Sequence, residues 1–251
     1  MGKTSLQRYS AASLLEEREL KSSYDVVVVG AGGHGLATAY HLARDHGIRS
    51  IAILERQILG YGNVGRNTTI VRSNYLLPEN HLFYEDSLRR WERLSHTLNY
   101  NVMYSPRGVL DLATSDDEMS VYARRGNAMR QSGIDAVLLD RAGVARFEPA
   151  LDVNWPRRFP IVGGLLQPRG GTVRHDAVAW GYARAAAALG VEIFQNCEVL
   201  GLRTQAGAAV GVETSRGFVG AGRIVFAVAG HTGAIGTMLG QKLPIETHLL
   251  Q

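Results

Sequence analysis

The stretch Tyr24–Arg56, YDVVVVGAGGHGLATAYHLARDHGIRSIAILER, decides the fold. Residues 25–29, DVVVV, form a β-branched run that is typical of a parallel strand covered on both faces. Apolar residues then recur at helical spacing until Gly47, which is a typical helix stop. A second apolar run, residues 50–55, ends on Glu55. The stretch therefore predicts a strand–helix–strand unit of the Rossmann type.

The turn between the first strand and the helix has the spacing Gly30-x-Gly32-x-x-Gly35. Gly30 permits a tight turn, Gly32 lets the backbone approach a pyrophosphate, and Gly35 lets the helix pack closely. The helix N-terminus offers free N–H groups to the phosphates. Glu55 lies where an acid accepts hydrogen bonds from ribose hydroxyls. The unit predicts a bound dinucleotide, although a glycine turn in an α/β fold without a ligand stays open.

Two segments outside this unit indicate which dinucleotide is bound. Residues 56–75, RQILGYGNVGRNTTIVRSNY, are polar and glycine-rich over a length that is commonly functional in compact domains. Residues 223–233, RIVFAVAGHTG, predict another buried strand, which would return beside the first one. This arrangement is typical of flavoproteins of the amino-acid oxidase type.

Composition sets limits on the class of protein. The chain has 251 residues, with 45% hydrophobic and 20% charged residues, as in ordinary globular proteins. Its apolar runs are far shorter than the roughly 20 residues that span a bilayer, so no membrane helix is expected. The 24 Arg against 3 Lys favour anionic ligands. Because these arginines are scattered, nucleic-acid binding is not predicted.

The N-terminal residues and the single cysteine bear on location. Residues 1–23 predict a polar arm with a short helix near ASLLEEREL, residues 12–20, and lack the apolar core of a secretory signal. Cys197 has no second cysteine with which to form an internal disulfide, which fits a reducing compartment. We therefore expect a cytoplasmic protein in which Cys197 is structural.

Several longer motifs resemble the β subunits of heterotetrameric sarcosine oxidases. They are YDVVVVGAGGHGLATAYHLA, GNVGRNTTIVRSNYL, LNYNVMYSPRGVLDLA, RGGTVRHDAVAWGYARAAAALGVEIFQNCEV and GVETSRGF. The resemblance runs from about Tyr24 to Gln251. It implies an FAD-binding α/β domain with a parallel sheet and an inserted, incomplete α+β substrate domain.

The resemblance implies two flavins. FAD would be bound non-covalently, and FMN would be attached covalently through His175, which lies in the sequence RHDAVAWG. Taken alone, a histidine at a loop–helix junction is usually a surface residue or a helix cap. Gly170 and Gly171 are expected to permit approach of the flavin ring, and Asp176 to cap the helix or to orient His175.

The same resemblance assigns residues to FAD. Gly32, Gly33, His34 and Glu55 would lie along its ADP half. The loop that follows the pyrophosphate and the flavin edge would contain Asn63, Arg66, Thr68, Thr69 and Ile70. The main chain of Val199 would bracket the adenine, although its pattern also fits an ordinary strand residue.

Arg72 and Tyr75 are the candidates for substrate contact. Arg72 matches an arginine that related amine oxidases place against the substrate carboxylate, which a guanidinium binds through paired hydrogen bonds. The alternative is an ordinary solvated arginine. Tyr75 would form part of the pocket wall. No metal site is predicted, since His41 and His46 lack further ligand residues nearby.

The implied reaction is the oxidation of sarcosine. FAD would take a hydride from the N-methyl carbon, and the electrons would pass through FMN to O2 to give H2O2, with glycine and a formaldehyde-level one-carbon unit as products. The implied partners are an α subunit with NAD and folate sites, and γ and δ subunits. Two alternatives stay open: a sarcosine or dimethylglycine dehydrogenase-like enzyme, and a non-catalytic flavin-binding assembly subunit.

The predicted domain layout is discontinuous. Residues 24–98 and 164–240 would form the FAD-binding domain, and residues 99–163 and 241–251 part of a substrate domain. A core-facing helix is predicted from the spacing of Leu88, Trp91, Leu94 and Leu98. Members of the family extend well beyond the position of Gln251. We therefore expect residues 1–251 to be part of a longer protein and to bind flavin weakly and oxidise sarcosine poorly alone.

Overall fold

The computed structural model describes residues 18–154 and 156–248 and divides into two compact units. Within the described residues, the first unit combines residues 18–67 with residues 175–248, and the second unit lies within Thr68–Arg174. Most of the helix predicted at residues 12–20 falls outside the described residues, and residues 18–20 are not helical. None of the helices in the described part has an apolar stretch long enough to cross a lipid bilayer.

In chain order the strands and helices are β1 (Ser23–Val29), α1 (Gly33–Asp45), β2 (Ile51–Leu54), β3 (Ile70–Val71), α2 (Pro78–Leu98), β4 (Val109–Ala113), α3 (Asp116–Gln131), β5 (Val137–Asp140), α4 (Arg141–Phe147), β6 (Gly163–Gln167), β7 (Gly171–Thr172), α5 (His175–Ala188), β8 (Glu192–Phe194), β9 (Val199–Gln205), β10 (Ala208–Thr214), β11 (Gly217–Phe226) and α6 (Thr232–Met238). Short 3₁₀ helices cover Asn63–Arg66 and Ala229–His231.

The first unit is built on a six-stranded sheet with the order β8-β2-β1-β11-β10-β9. The first four strands in this order are parallel, and β11 pairs with β1 as predicted for a returning strand. Val27, Val28, Ile51 and Ile53 have 0% exposure, because this part of the sheet is covered on both faces. The predicted α/β fold is confirmed.

The sheet is mixed, whereas a parallel sheet was expected. Strands β9, β10 and β11 form an antiparallel meander. Only residues 206 and 207 connect β9 to β10, and only residues 215 and 216 connect β10 to β11. Two-residue connections can join only antiparallel neighbours, since a parallel pair needs a crossover of a dozen or more residues.

The second unit has an antiparallel sheet with the order β4-β6-β5 and a two-stranded pair of β3 with β7. The predicted core face of α2 is confirmed at Leu88, Leu94 and Leu98, which are buried. Trp91 is half-buried.

The boundaries between the two compact units differ from the boundaries of the predicted domains. Strand β6 belongs to the second unit because it pairs with β4 and β5. Residues 241–248 belong to the first unit, where the Thr247 hydroxyl donates to the Gly230 carbonyl at 2.8 Å. Helix α2 belongs wholly to the second unit. These contacts join residues distant in sequence, which hydrophobic spacing does not reveal.

Candidate functional site

The glycine turn of the first unit is tightly packed at two positions and open at a third. Gly30 has φ +106°, and a Cβ atom there would lie 2.6 Å from the Ala227 carbonyl oxygen. A Cβ at Gly35 would lie 1.9 Å from the Gly30 carbonyl oxygen. A Cβ at Gly32 would have no atom within 4 Å. The open side at Gly32 therefore leaves room for a ligand against the backbone.

The start of helix α1 suits an anion. Gly32 is the N-cap and provides no side-chain hydrogen bond, and the first turn contains no acidic residue. The first N–H groups of the helix and the positive end of its dipole are thus left for a ligand such as a pyrophosphate. Gly33 begins the helix, and His34 is exposed on its first turn.

Glu55 lies beside this turn, directly after β2. One carboxylate oxygen accepts a hydrogen bond from the Ala31 N–H at 2.9 Å, and the other accepts one from the Gln57 N–H at 2.9 Å. These bonds fix the carboxylate, and each oxygen keeps acceptor capacity for a hydroxyl. The geometry fits the predicted contact with a ribose.

An arginine–histidine pair at the end of the same sheet was missed by the sequence analysis. Nη2 of Arg56 lies 3.0 Å from Nε2 of His231, which follows the return strand β11. Ala229, at the start of the intervening 3₁₀ helix, has φ +47°. The position of Arg56 next to Glu55 was the available signal, but its partner lies 175 residues away.

The loop after β2 brings Asn63 and Arg66 near the glycine turn. The Gly60 N–H donates to the Ala31 carbonyl at 3.2 Å, and a Cβ at Gly33 would lie 3.6 Å from Val64. Asn63 and Arg66 bound the 3₁₀ helix that contains Val64. The Arg66 guanidinium lies over the Tyr61 ring at 4.6 Å.

Thr68, Thr69 and Ile70 open the second unit. Thr69 has φ +61°, an unusual conformation for a β-branched residue and one that is often retained at functional sites. Its carbonyl accepts the Val173 N–H at 3.1 Å, and Ile70 is 52% exposed.

His175 is the first residue of α5 and is half-buried. Its Nδ1 atom is buried and has no hydrogen-bond partner. A buried ring nitrogen without a hydrogen-bond partner is unusual in a folded protein, and it fits a nitrogen that bonds to a ligand. The Asp176 carboxylate accepts the Ala177 N–H at 2.9 Å, so it serves the helix start and does not bond Nδ1 of His175.

Four other positions make packing contacts within the protein, and the predicted contact of the Val199 main chain with adenine stays a prediction. A Cβ at Gly171 would lie 2.0 Å from the Ser105 carbonyl oxygen, and one at Gly170 would lie 2.7 Å from Val109. These two glycines therefore permit close packing within the second unit, and the access that they would give a flavin ring stays a prediction. Val199 is partly buried against the core as the first residue of β9. Cys197 is buried, and burial raises the pKa of its thiol.

Arg72 is a half-buried guanidinium in the second unit. Its Nη1 donates to Oδ1 of Asn74 at 2.9 Å, and it lies over the Tyr75 ring at 5.0 Å. Among the described residues no carboxylate lies within ion-pair distance of it. Tyr75 stacks on Tyr84 with ring centroids 3.6 Å apart, and burial raises the pKa of Tyr75 while the charge of Arg72 opposes the rise.

Buried polar residues around Arg72 were also missed by the sequence analysis. They are Ser73, Asn74, His81, Glu85 and Gln167. His81 and Glu85 lie at helical spacing with Leu88 on the buried face of α2, which was the only sequence signal for them. No cluster of three metal-ligand side chains occurs in residues 18–154 and 156–248.

Comparison with known proteins gives a consistent result. The family model described as FAD dependent oxidoreductase matches residues 25–250. Sarcosine oxidase subunit beta of Rhizobium meliloti (strain 1021) is 55% identical, over 97% of this chain and 62% of that protein. The protein of the same name from Rhodobacter capsulatus is 51% identical, over 93% of this chain and 56% of that protein. The resemblance to these β subunits is confirmed.

Solved structures support the fold. The crystal structure of L-proline dehydrogenase from P. horikoshii aligns with a TM-score of 0.81 over 88% of this chain and 57% of that chain, at 22% sequence identity. At this identity the likeness shows the fold alone. The chain spans 56–62% of the length of the two β subunits.

Proposed function

The chain belongs to the family of FAD dependent oxidoreductases, and on that premise we propose that it is the flavin-binding subunit of a sarcosine oxidase. The proposed reaction converts sarcosine to glycine and a formaldehyde-level one-carbon unit. FAD, when bound, supplies the acceptor for a hydride from the N-methyl carbon. The residues of this chain hold the cofactor and orient the substrate.

The open cradle at Gly32 is the observation that supports FAD binding most directly. The pyrophosphate would lie against the backbone at Gly32 and Gly33, where the free N–H groups of α1 can donate to it. The fixed carboxylate of Glu55 would accept hydrogen bonds from the ribose hydroxyls. Asn63 and Arg66 would contact the pyrophosphate side, and the main chain of Thr69 and Ile70 the flavin ring.

Arg72 would bind the carboxylate of sarcosine. Its guanidinium is half-buried and has no carboxylate partner among the described residues. An anionic substrate would therefore neutralise its charge. A guanidinium edge binds a carboxylate through two parallel charge-assisted hydrogen bonds. Tyr75, held by its stack on Tyr84, would form one wall of the substrate pocket.

His175 would attach FMN covalently. Its orphaned Nδ1 atom shows that the ring is not fully used by the protein's own hydrogen bonds. A neutral imidazole nitrogen would replace one hydrogen of the 8α-methyl group of the flavin. The two protons and two electrons released by breaking that C–H bond and the imidazole N–H bond would go to O2, giving H2O2. When bound through His175, FMN would supply the route by which electrons from sarcosine reach O2.

The proposed assembly is a heterotetramer with α, γ and δ subunits. The name "subunit beta" of the relatives indicates that they work with other chains. The α subunit would carry the NAD and folate sites. Sarcosine oxidation should therefore be measured on the whole assembly of subunits.

The first experiment adds sarcosine anaerobically to the assembled enzyme. We expect flavin absorbance to bleach, and H2O2 to form once air is admitted. An Arg72→Ala variant should raise KM for sarcosine by about tenfold or more, because a charge-assisted carboxylate contact is lost. Absence of bleaching would favour an assembly subunit, and bleaching without peroxide would favour a dehydrogenase.

The second experiment determines the intact mass of the denatured chain. A flavin adduct of FMN mass should map to the peptide containing His175 and disappear in His175→Ala. His41→Ala is the matched control, since His41 is a half-buried histidine bonded to Asp45 on α1. An adduct that persists in His175→Ala would refute the attachment site.

A further inference from the structure

The segment Arg72–Tyr75 is held by most of the buried polar groups of the described chain. The described part of the chain has six buried polar or charged residues, and all of them except Thr214 lie in this segment or contact it. Glu85 accepts the Ser73 hydroxyl at 3.0 Å, Gln167 accepts the Ser73 N–H at 3.0 Å, and His81 contacts the Tyr75 carbonyl at 2.9 Å. Buried polar groups are costly unless they are bonded, so this concentration fixes an irregular segment firmly.

Asn74 lies at the centre of this segment and has 0% exposure. Its Nδ2 donates to Oδ2 of Asp111 at 3.2 Å, and its Oδ1 accepts from Nη1 of Arg72 at 2.9 Å. An ionised carboxylate only accepts and a guanidinium only donates. The two neighbours therefore dictate the same amide orientation, and the Asn74 carbonyl oxygen must face Arg72.

The carboxylate next to Asn74 is paired with another arginine, so it does not neutralise the charge of Arg72. Nη1 of Arg125 lies 3.0 Å from Oδ2 of Asp111, so this carboxylate is neutralised from the other side. Arg125 also donates to the Asn74 main-chain carbonyl. Asp111 thus fixes Asn74 without pairing with Arg72.

We propose that Asn74 is a positioning residue that aims the Arg72 guanidinium at a carboxylate ligand, and that Asp111 and Arg125 hold Asn74 in place. This inference rests on the proposed role of Arg72. One hydrogen bond from Nη1 and the stack on Tyr75 fix the plane of the guanidinium. The remaining N–H groups stay available for a bidentate carboxylate, so the segment selects carboxylates over neutral ligands of the same shape.

The test measures binding of acetate to the full chain by NMR line broadening, with acetamide as the neutral isostere. Wild type should bind acetate in preference to acetamide, and Arg72→Ala should lose that preference. Asn74→Ala should weaken acetate binding about tenfold, the effect expected when one charge-assisted contact loses its alignment. Gln167→Leu is the matched control, because it removes a buried amide from the same network that does not touch Arg72.

Asn74→Asp separates positioning from a general structural role through the preference for acetate over acetamide. The new carboxylate would pair with Arg72 internally, so positioning predicts that acetate binding weakens while acetamide binding does not. The new carboxylate would also face Oδ2 of Asp111, which Nδ2 of Asn74 contacts at 3.2 Å, so a structural role predicts that binding of both ligands weakens together with thermal stability. Thermal unfolding checks that each variant is folded. If Asn74→Ala does not fold, Asp111→Asn replaces it, because Asp111 bonds to Asn74 and does not contact Arg72 directly.

The outcomes separate this inference from the proposed function. Normal acetate binding in Asn74→Ala, or an equal loss in Gln167→Leu, would overturn the positioning role while loss in Arg72→Ala would still support Arg72 as the carboxylate site. Normal binding in Arg72→Ala, or no binding by wild type, would overturn both the positioning role and the assignment of Arg72. Flavin bleaching by sarcosine in the assembly would then decide the proposed activity independently.

Discussion

At the scale of single residues, the three glycines of the turn perform different tasks although they share one motif. Gly35 is required because the Gly30 carbonyl oxygen occupies the space of a side chain. Gly32 has empty space around it, so the protein itself does not require glycine there. The proposed FAD gives a reason for glycine at this position, because its pyrophosphate would come close to the backbone.

Substituting these two glycines should therefore give opposite results. Gly35→Ala should destabilise the fold by about 3 kcal/mol, because the new methyl group meets a backbone atom that cannot move away. Gly32→Ala should cost less than about 1 kcal/mol of stability. It should nevertheless weaken FAD binding about tenfold. Urea unfolding and fluorescence titration with FAD measure the two effects, and equal stability losses would contradict this interpretation.

Tyr24 shows how burial links a single residue to pH. Its hydroxyl donates to Glu192 at 2.7 Å, and burial raises its pKa to about 12. The unfolded chain releases this proton near pH 10, while the folded chain keeps it. The stability contributed by Tyr24 is therefore complete below about pH 10 and declines as the pH rises towards 12.

Tyr24→Phe should flatten the stability curve in this range. The variant should be less stable by about 1 kcal/mol at neutral pH, through loss of the hydrogen bond to Glu192. Its free energy of unfolding should then fall less than that of wild type between pH 10 and 12. Tyr104, whose pKa burial also raises to about 12, is present in both proteins and cancels in the difference. Parallel curves would show that Tyr24 does not titrate differently on folding.

At the scale of elements, short turns decide the direction of half of the main sheet. Ala206 and Gly207 connect β9 to β10 with φ values of +51° and +80°. Two successive positive φ values are typical of a type I′ turn, which matches the twist of antiparallel strands. Alanine is a poor residue for the first of these positions, so the sequence signal for this hairpin is weak.

Ala206→Asn should stabilise the first unit. Asparagine adopts positive φ more readily than alanine, and Asn-Gly is the preferred pair for this turn. We expect a gain of about 0.5 kcal/mol in the free energy of unfolding. Ala208→Asn is the control, because Ala208 lies within β10, where asparagine is disfavoured. A destabilised Ala206→Asn variant would argue against the turn geometry.

At the scale of the whole molecule, the residues proposed to bind FAD fall in both compact units. Gly32, Gly33 and Glu55 belong to the first unit, and Thr69 and Ile70 to the second. The chain passes from one unit to the other between Asn67 and Thr68. Each group of predicted contacts can therefore be tested within its own unit.

Hydrogen exchange should separate the two contributions. At millimolar concentration, ADP should slow exchange of the amides in residues 30–36 and 55–57, because it contains only the half of FAD that the first unit would hold. FAD should slow the same amides and also those of residues 68–70. Protection of residues 68–70 by ADP, or no protection of residues 30–36 by FAD, would contradict the proposed arrangement.

The sequence by itself determined the features that depend on neighbours along the chain. The run Val26–Val29, the glycine turn and the helix after it follow from local sterics and from hydrophobic periodicity, and the structure has them as predicted. The return strand β11 was also predictable, because an apolar run at its end is followed by glycines, although Ile224, Val225 and Phe226 are half-buried and not fully buried as expected.

Tertiary structure alone decided the features that depend on residues distant in sequence. The bonds of Asn74 to Asp111 and of Ser73 to Gln167 span 37 and 94 residues, and the pair of Arg56 with His231 spans 175. No periodic pattern encodes which buried polar groups meet, because each hydrogen bond depends on the placement of two separate elements. The same reason hid the membership of β6 in the second unit. The direction of β9 and β10, by contrast, is set locally by their turn, and it was missed because Ala206 gives that turn a weak sequence signal.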